Sequence, residues 1–339
     1  MAYQVFIAGG YFHESDLGYL PGASDLKIDG QYPGLTVIQD VDQYFAAANR
    51  ADLAIFLTHG GKMETFFSEH GNRKSVKQFF ANSQTRKVMW SVDAHHLWKK
   101  EIKYQQYFDR VYVADTSVMK HYDRNKVAWM PCYYRFLSID ELIATTEKNR
   151  GIERSVIFPH HFYKLGDRNE VASRIQEVCQ AKKLSSFFGA IGSETDYLEA
   201  MLTTKVCLNV SLLSEVNLRS FEALACNRIL LADWGQDYSQ IQADWSSTIF
   251  YHRNLHSFSE RLDQALSIPP EAVTSMRSIV NQHMLTHRYI EIINRESGTN
   301  YKMDAVFPEV PATLPAAVPG CVPRPVYGNF LDRVRAVIS

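Results

Sequence analysis

Apolar residues along the chain gather in short runs rich in Val, Ile and Phe, each followed by a loop and then by a stretch with helical spacing of its apolar positions. Such runs suit strands buried on both faces, and the stretches between them suit crossover helices. The pattern predicts an α/β protein built on parallel sheets. In the first half, strands are expected at Gln4–Ala8, Thr36–Gln39, Leu53–Leu57, Lys87–Val92, Arg110–Ala114 and Val127–Met130. Helices fill the gaps, among them Val41–Asn49 capped by Asp40 or Asp42, Arg73–Asn82, and Thr116–Asp123 capped by Thr116 or Ser117.

A polar stretch at 136–153, ending in Asn149-Arg150-Gly151, reads as a linker or bridging helix, after which the pattern restarts. Strands are expected at Ser155–Phe158, Ser185–Phe188, Val206–Val210, Arg228–Ala232 and Thr248–Tyr251. Helices follow at Arg168–Lys182, Glu194–Leu202, Leu218–Cys226, Ser257–Leu266 and Glu271–Arg295. Residues 1–135 and 154–302 are therefore expected to form two Rossmann-like, doubly wound domains facing a cleft, the default place for a ligand. In the tail, six of the twelve prolines (Pro308, Pro311, Pro315, Pro319, Pro323 and Pro325) make 303–327 an extended tether. Residues 328–339 put Phe330, Leu331, Val334, Val337 and Ile338 on one helical face, which predicts a terminal helix docked back on the first domain.

The chain has 339 residues, 46% of them hydrophobic and 22% charged, which excludes disorder, collagen and coiled coil. With 36 Lys+Arg against 37 Asp+Glu the net charge is −1, so nucleic acid is not the expected main partner. The sum conceals a split. Residues 1–70 carry 3 basic and 9 acidic side chains, whereas 71–126 carry 12 and 5. The basic half, with Arg73, Lys74, Lys77, Lys99, Lys100 and Lys103, is either a set of solvated helix faces or the surface that meets an anionic acceptor or membrane. Five scattered cysteines without a CxxC pair point to a reducing cytoplasm and to neither disulfides nor a zinc ribbon. The start of the sequence lacks signal-peptide features, and no run of about 18 apolar residues occurs, so a soluble protein with at most peripheral membrane contact is expected.

Several residues are candidates for chemistry. Gly9-Gly10 follows the first strand, where bare backbone approaches a ligand or simply turns; the GxGxxG spacing is absent. Asp40-Val41-Asp42 has the form of a metal-binding DxD, but helix capping accounts for it equally. The twelve histidines include pairs at His95/His96, His160/His161, His252/His256 and His283/His287, without an HExxH motif, and no metal is expected. His59, Asp93 and His95 rank first among the reactive side chains because they lie at strand ends, which point into the cleft of such sheets. A buried capping Asp and stacked histidines are the alternative.

The segment Lys205–Trp234 holds a strand ending Leu208-Asn209-Val210-Ser211, a helix opening Arg219-Ser220-Phe221-Glu222 and running to Ala225-Cys226, and a strand ending at Asp233. It resembles the nucleotide-sugar segment of GT-B glycosyltransferases, in particular the CgeB-type (spore-maturation protein) branch near the retaining family 4 group. Lys87–Leu97, Phe108–Val118, Trp129-Met130-Pro131, Ser155–Val171 and His283–Arg288 are similar to other parts of that family in the same order, so the resemblance spans roughly residues 85–290.

The resemblance implies a glycosyltransferase that uses a nucleoside-diphosphate sugar as donor and needs no metal or other cofactor. Glu222 would bind the ribose, and Arg219, with Asn217 and Ser220 beside it, the phosphates or donor sugar. Lys164 and Arg168 would add phosphate contacts. Asp93 would act as base or orienter towards the acceptor, a glycan, lipid-linked or protein hydroxyl, and His95 would donate to a sugar hydroxyl. Ser214 stands where the family 4 signature has a Glu, with Glu215 one position away, and Pro159-His160-His161 and Asn227 replace two glycines. These departures leave open a non-catalytic glycan- or partner-binding protein; a transferase acting on nucleic acid is a further alternative.

Overall fold

The computed structural model describes residues 2–9, 13–30, 40–82, 84–134, 137–148, 151–159, 168–213 and 215–308. Strands β1 (Tyr3–Ala8), β2 (Leu26–Asp29), β3 (Leu53–Thr58), β4 (Arg86–Ser91), β5 (Arg110–Val113) and β6 (Val127–Trp129) pair in the order β2-β1-β3-β4-β5-β6. The second sheet contains β7 (Arg154–Pro159), β8 (Ser186–Gly189), β9 (Thr204–Asn209), β10 (Ile229–Asp233) and β11 (Thr248–Tyr251), in the order β11-β10-β9-β7-β8. Every pairing among these strands is parallel. In each sheet the strand order reverses direction between the first and third strand of its half, at β1/β3 and at β7/β9. Crevices open at such points beyond the strands' carboxyl ends.

Helices α1 (Glu14–Leu17), α2 (Val41–Ala48), α3 (Lys62–His70), α4 (Lys74–Asn82) and α5 (Ala94–Glu101) accompany the first sheet, and α6 (Ile139–Lys148) follows it. With the second come α7 (Arg168–Ala181), α8 (Glu194–Leu202), α9 (Leu218–Ala225), α10 (Phe258–Ser267), α11 (Ser275–Gln282) and α12 (Leu285–Ser297). The period-2 side-chain alternation of each strand feeds different cores. Val5 and Ile7, or Val88 and Trp90, enter a cluster shared by both halves, while Phe6 and Met89 enter one confined to the first. Val206 and Leu208 enter a third cluster, on the outer face of the second sheet.

Ten strands stand within two residues of where the apolar runs place them; the strand expected at Thr36–Gln39 lies outside the described residues. Edge strand β2 pairs with β1. With only four residues, two of them Lys27 and Asp29, it lacks the apolar run that marks a buried strand. The expected helix at 116–123 is a 3-10 helix, Thr116–His121, and its cap is Asp115, whose Oδ1 accepts the Ser117 N–H at 2.8 Å.

The long helix expected at Glu271–Arg295 is broken into a 3-10 turn (Pro270–Ala272), α11 and α12. At the second break the Tyr134 N–H donates to the His283 carbonyl, and the Leu285 N–H donates to that of Tyr134. The chain thus trades helix continuity for hydrogen bonds to the first half. Beyond the break α12 packs against the first sheet. Tyr289 meets Trp90 edge-on at 5.9 Å, and the Glu296 carboxylate takes Arg86 at 2.5 Å and the Tyr112 hydroxyl at 2.6 Å. A docking helix therefore exists, but it lies in the stretch read as part of the second domain. The expected terminal helix at 328–339, and the tether from residue 309 on, lie outside the described residues.

Candidate functional site

A cavity of about 710 Å³ lies between the carboxyl ends of the two sheets. Its second-domain wall begins with the loop after β9. Two carboxylates fix that loop: Asp233 accepts the Ser211 N–H at 2.8 Å, and Glu215 accepts those of Leu212 and Leu213, each at 2.8 Å. Arg253 ties Asp233 to the Ser211 carbonyl, at 2.8 and 2.6 Å. From this loop α9 starts, and the spacing of three between Arg219 and Glu222 brings both to the cavity side of the helix.

Arg219 and Arg168, the latter opening α7, set their guanidinium carbons 5.1 and 5.6 Å from the ring of Phe158 on β7. Both side chains line the cavity, their Nε atoms are buried without a hydrogen-bond partner, and neither makes an ion pair among the described residues. Burial, and then the charge of Arg219, push the Arg168 pKa down to about 10, which still leaves it a cation at neutral pH. Two guanidinium groups turned to a cavity, with no ion-paired carboxylate among the described residues, suit a multiply charged anion. Glu222 is 4% exposed, and its Oε2 accepts the Tyr197 hydroxyl at 2.5 Å.

Asn217 also lines the wall, its Nδ2 donating to Asn209 Oδ1 at 2.8 Å. Ser220 does not reach it. One position round the helix from Arg219, its hydroxyl is fully buried between Asn209 and Tyr238. Lys164 lies outside the described residues.

The first-domain wall carries Asp93, His95 and His96 at the start of α5. Asp93 occupies the cap position without capping. Its Oδ2 accepts the Gly60 N–H at 2.7 Å instead, which ties the turn after β3 to the start of α5. Behind them Glu101 is buried and accepts hydroxyls from Thr58, Ser91 and Tyr122. The imidazoles of His95 and His96 are 4.5 Å apart, and burial followed by the charge of His95 pushes the His96 pKa down to about 4. Asp93 and His95 thus face the cavity as expected of strand-end residues, whereas half-buried His59 is not on its wall and Gly60 is. Gly9, with φ 100°, closes β1 away from the wall, so its glycine identity serves the turn; Gly10 lies outside the described residues.

Asp40 caps α2 by accepting from Asp42 and Gln43, and Asp42 pairs with Arg73 at 3.8 Å, so capping accounts for the DxD. His283 is buried, and His287 half-buried, at the break before α12. There Arg288 donates to His283 Nδ1 at 2.8 Å and to the Cys132 carbonyl at 3.2 Å. Since a guanidinium only donates, His283 Nδ1 accepts, and its Nε2 carries the proton that goes to the Gln242 carbonyl at 2.7 Å.

A second contact between the halves joins Thr116 to Asp237. The Thr116 N–H donates to Asp237 Oδ2 at 3.1 Å, and its hydroxyl bonds Oδ1. Burial, and then the nearby Asp115, raise the Asp237 pKa to about 8. Tyr197 and His96 carry no motif of their own, and only the fold brings them to the cavity wall.

Residues 164–294 match the sequence model of a family described as glycosyl transferase-like. No curated protein matches the chain in sequence. Among solved structures, an alpha-glucosyltransferase in complex with UDP-glucose and DNA containing an abasic site is similar with TM-score 0.55 at 10% identity, over 88% of this chain and 99% of that one. A UDP-forming α,α-trehalose-phosphate synthase from Burkholderia xenovorans gives TM-score 0.50 at 9% identity, over 88% and 100%. The chain has the GT-B fold of these transferases, with a glycosyl transferase-like segment in its second half.

At one position the chain departs from the GT-B segment that it resembles. Asn227, in place of the usual Gly, has φ 52°, and asparagine is among the few side chains that tolerate this left-handed conformation. Its Oδ1 also accepts the Met276 N–H at 2.8 Å, so the residue ends α9 and holds the first turn of α11.

Proposed function

We propose that the protein transfers a sugar from a nucleoside-diphosphate sugar to an acceptor hydroxyl. The observation that carries this reading is the pair Arg168 and Arg219, two cations without carboxylate partners among the described residues, beside the first turn of α9 and one turn from Glu222. The guanidinium groups and the helix N-terminus hold the diphosphate and stabilise its charge as the sugar leaves, in the role a metal ion plays elsewhere. Glu222 accepts from ribose hydroxyls. Across the cavity Asp93, fixed by Gly60, orients the acceptor and takes its proton, and His95 donates to a hydroxyl of the transferring sugar. The resemblance to CgeB-type and family 4 proteins favours retention of anomeric configuration.

Both structural neighbours are described with UDP or a UDP-sugar, so UDP-sugars are the donors to try first. Donor hydrolysis and transfer are measured over a panel of sugar nucleotides, with and without EDTA. Turnover that survives EDTA supports the reading. If no sugar nucleotide is bound or turned over, it fails.

The DNA in one neighbour's complex suggests a second acceptor class. For this chain the case rests on the basic segment 71–126, part of whose charge is already used: Lys100 and Lys103 pair with Glu64 at 3.0 and 3.2 Å. Oligonucleotide affinity that falls steeply with salt would favour it.

A further inference from the structure

We infer that Asp93, His95 and His96 form a binding site for a borderline transition-metal dication, zinc being the first to try, and that its occupation shuts the acceptor side of the cleft. The second clause rests on the transferase reading; the first does not. Ligand atoms from the three side chains lie within 4.8 Å of one another, and all three line the cavity. Neighbouring ligand atoms around a tetrahedral zinc ion are roughly 3.4 Å apart for bonds of about 2.1 Å, so rotation of a side chain closes the set. Two imidazole nitrogens and one carboxylate oxygen suit zinc, cobalt or nickel and not magnesium or calcium, which demand oxygen.

Independent observations point to a ligand. His95 Nδ1 is buried without a hydrogen-bond partner among the described residues. Asp93 is already oriented by the Gly60 N–H, as metal-bound carboxylates are by their outer partners. Glu215, close enough to act on His96 electrostatically, adds negative charge opposite. Three protein ligands leave coordination positions open to the cavity. A bound ion would take up Asp93 and His95, the groups assigned to the acceptor and the sugar, so metal would inhibit transfer and EDTA would leave the activity intact or raise it.

The test is calorimetric titration of the whole protein with Zn²⁺, with visible absorption of the Co²⁺ form as a check on nitrogen ligation. One equivalent is expected to bind, with affinity lost by at least about tenfold in His96→Ala. His96→Ala should also lose inhibition by Zn²⁺, read as the ratio of its own activity with and without the ion. Equal affinity in wild type and His96→Ala, or no binding by a folded wild type, would overturn the site. Binding with unimpaired transfer would overturn the inhibitory role alone.

Discussion

The hydroxyl of Tyr197 on α8 donates to Oε2 of Glu222 on α9 at 2.5 Å, and both side chains face the cavity between the sheets. The acid assigned to the ribose is thus positioned by a residue from a different helix. A hydrogen bond to a charged group is worth about 1.5–3 kcal/mol. Tyr197→Phe is expected to weaken nucleoside-diphosphate binding about tenfold with little change in melting temperature, measured by calorimetry and thermal unfolding. Unchanged affinity would show that Glu222 needs no such support.

Glu101 joins the ends of β3 and β4 to α5 through Thr58 and Ser91, at 2.9 and 2.5 Å. Burial raises its pKa. Glu101→Ala leaves these hydroxyls unsatisfied and opens a void, at a cost of about 2–4 kcal/mol in urea unfolding. Glu101→Gln, which keeps shape and an acceptor, should cost less than half of that.

Glu296 holds α12 to the first sheet through Arg86, Arg110 and Tyr112. Its side chain is 3% exposed, whereas that of Arg86 is 47% exposed, so part of the pairing is screened by water. Glu296→Ala is expected to destabilise by about 2 kcal/mol, short of the cost of breaking a fully buried pair. Urea unfolding of Glu296→Ala beside Glu296→Gln checks this; the amide should keep the Tyr112 contact and lose less.

The Asp237 carboxyl, with pKa raised from 3.8 to about 8, holds its proton more tightly in the folded state than in the unfolded one. Its contribution to stability is complete below pH 4, declines as pH rises through the window from about 4 to 8, and is lost above it. Asp237→Asn, always neutral, removes this decline. Melting temperatures at pH 6 and pH 9 should therefore differ less in the variant than in wild type, and equal differences would contradict the assignment.

What was legible in the sequence follows from how each feature is encoded. Buried parallel strands announce themselves because both of their faces are apolar, and only β2, whose Lys27 and Asp29 alternate with apolar residues at an edge, went unannounced. The break between α11 and α12 was not visible, since its cause is the backbone pairing of His283 and Leu285 with Tyr134, far away in sequence. Arg219 and Glu222 share the cavity side of α9, where the motif and the helical spacing agree in putting them. Ser220, in the same motif, belongs to the core, because neighbours on a helix point about 100° apart. Tyr197 and His96 become informative only once α8 and α5 face the same cavity.

In the transferase reading this cavity receives a nucleoside diphosphate between Arg168, Arg219 and Glu222. Calorimetric titration of wild type, Arg219→Ala and Glu222→Ala with UDP, and then with GDP and ADP, tests it most directly. Wild type should bind one equivalent of at least one of them, and each variant should bind it at least about tenfold more weakly while remaining folded. Absence of binding by wild type to all three, or equal affinity in the variants, would contradict the claim.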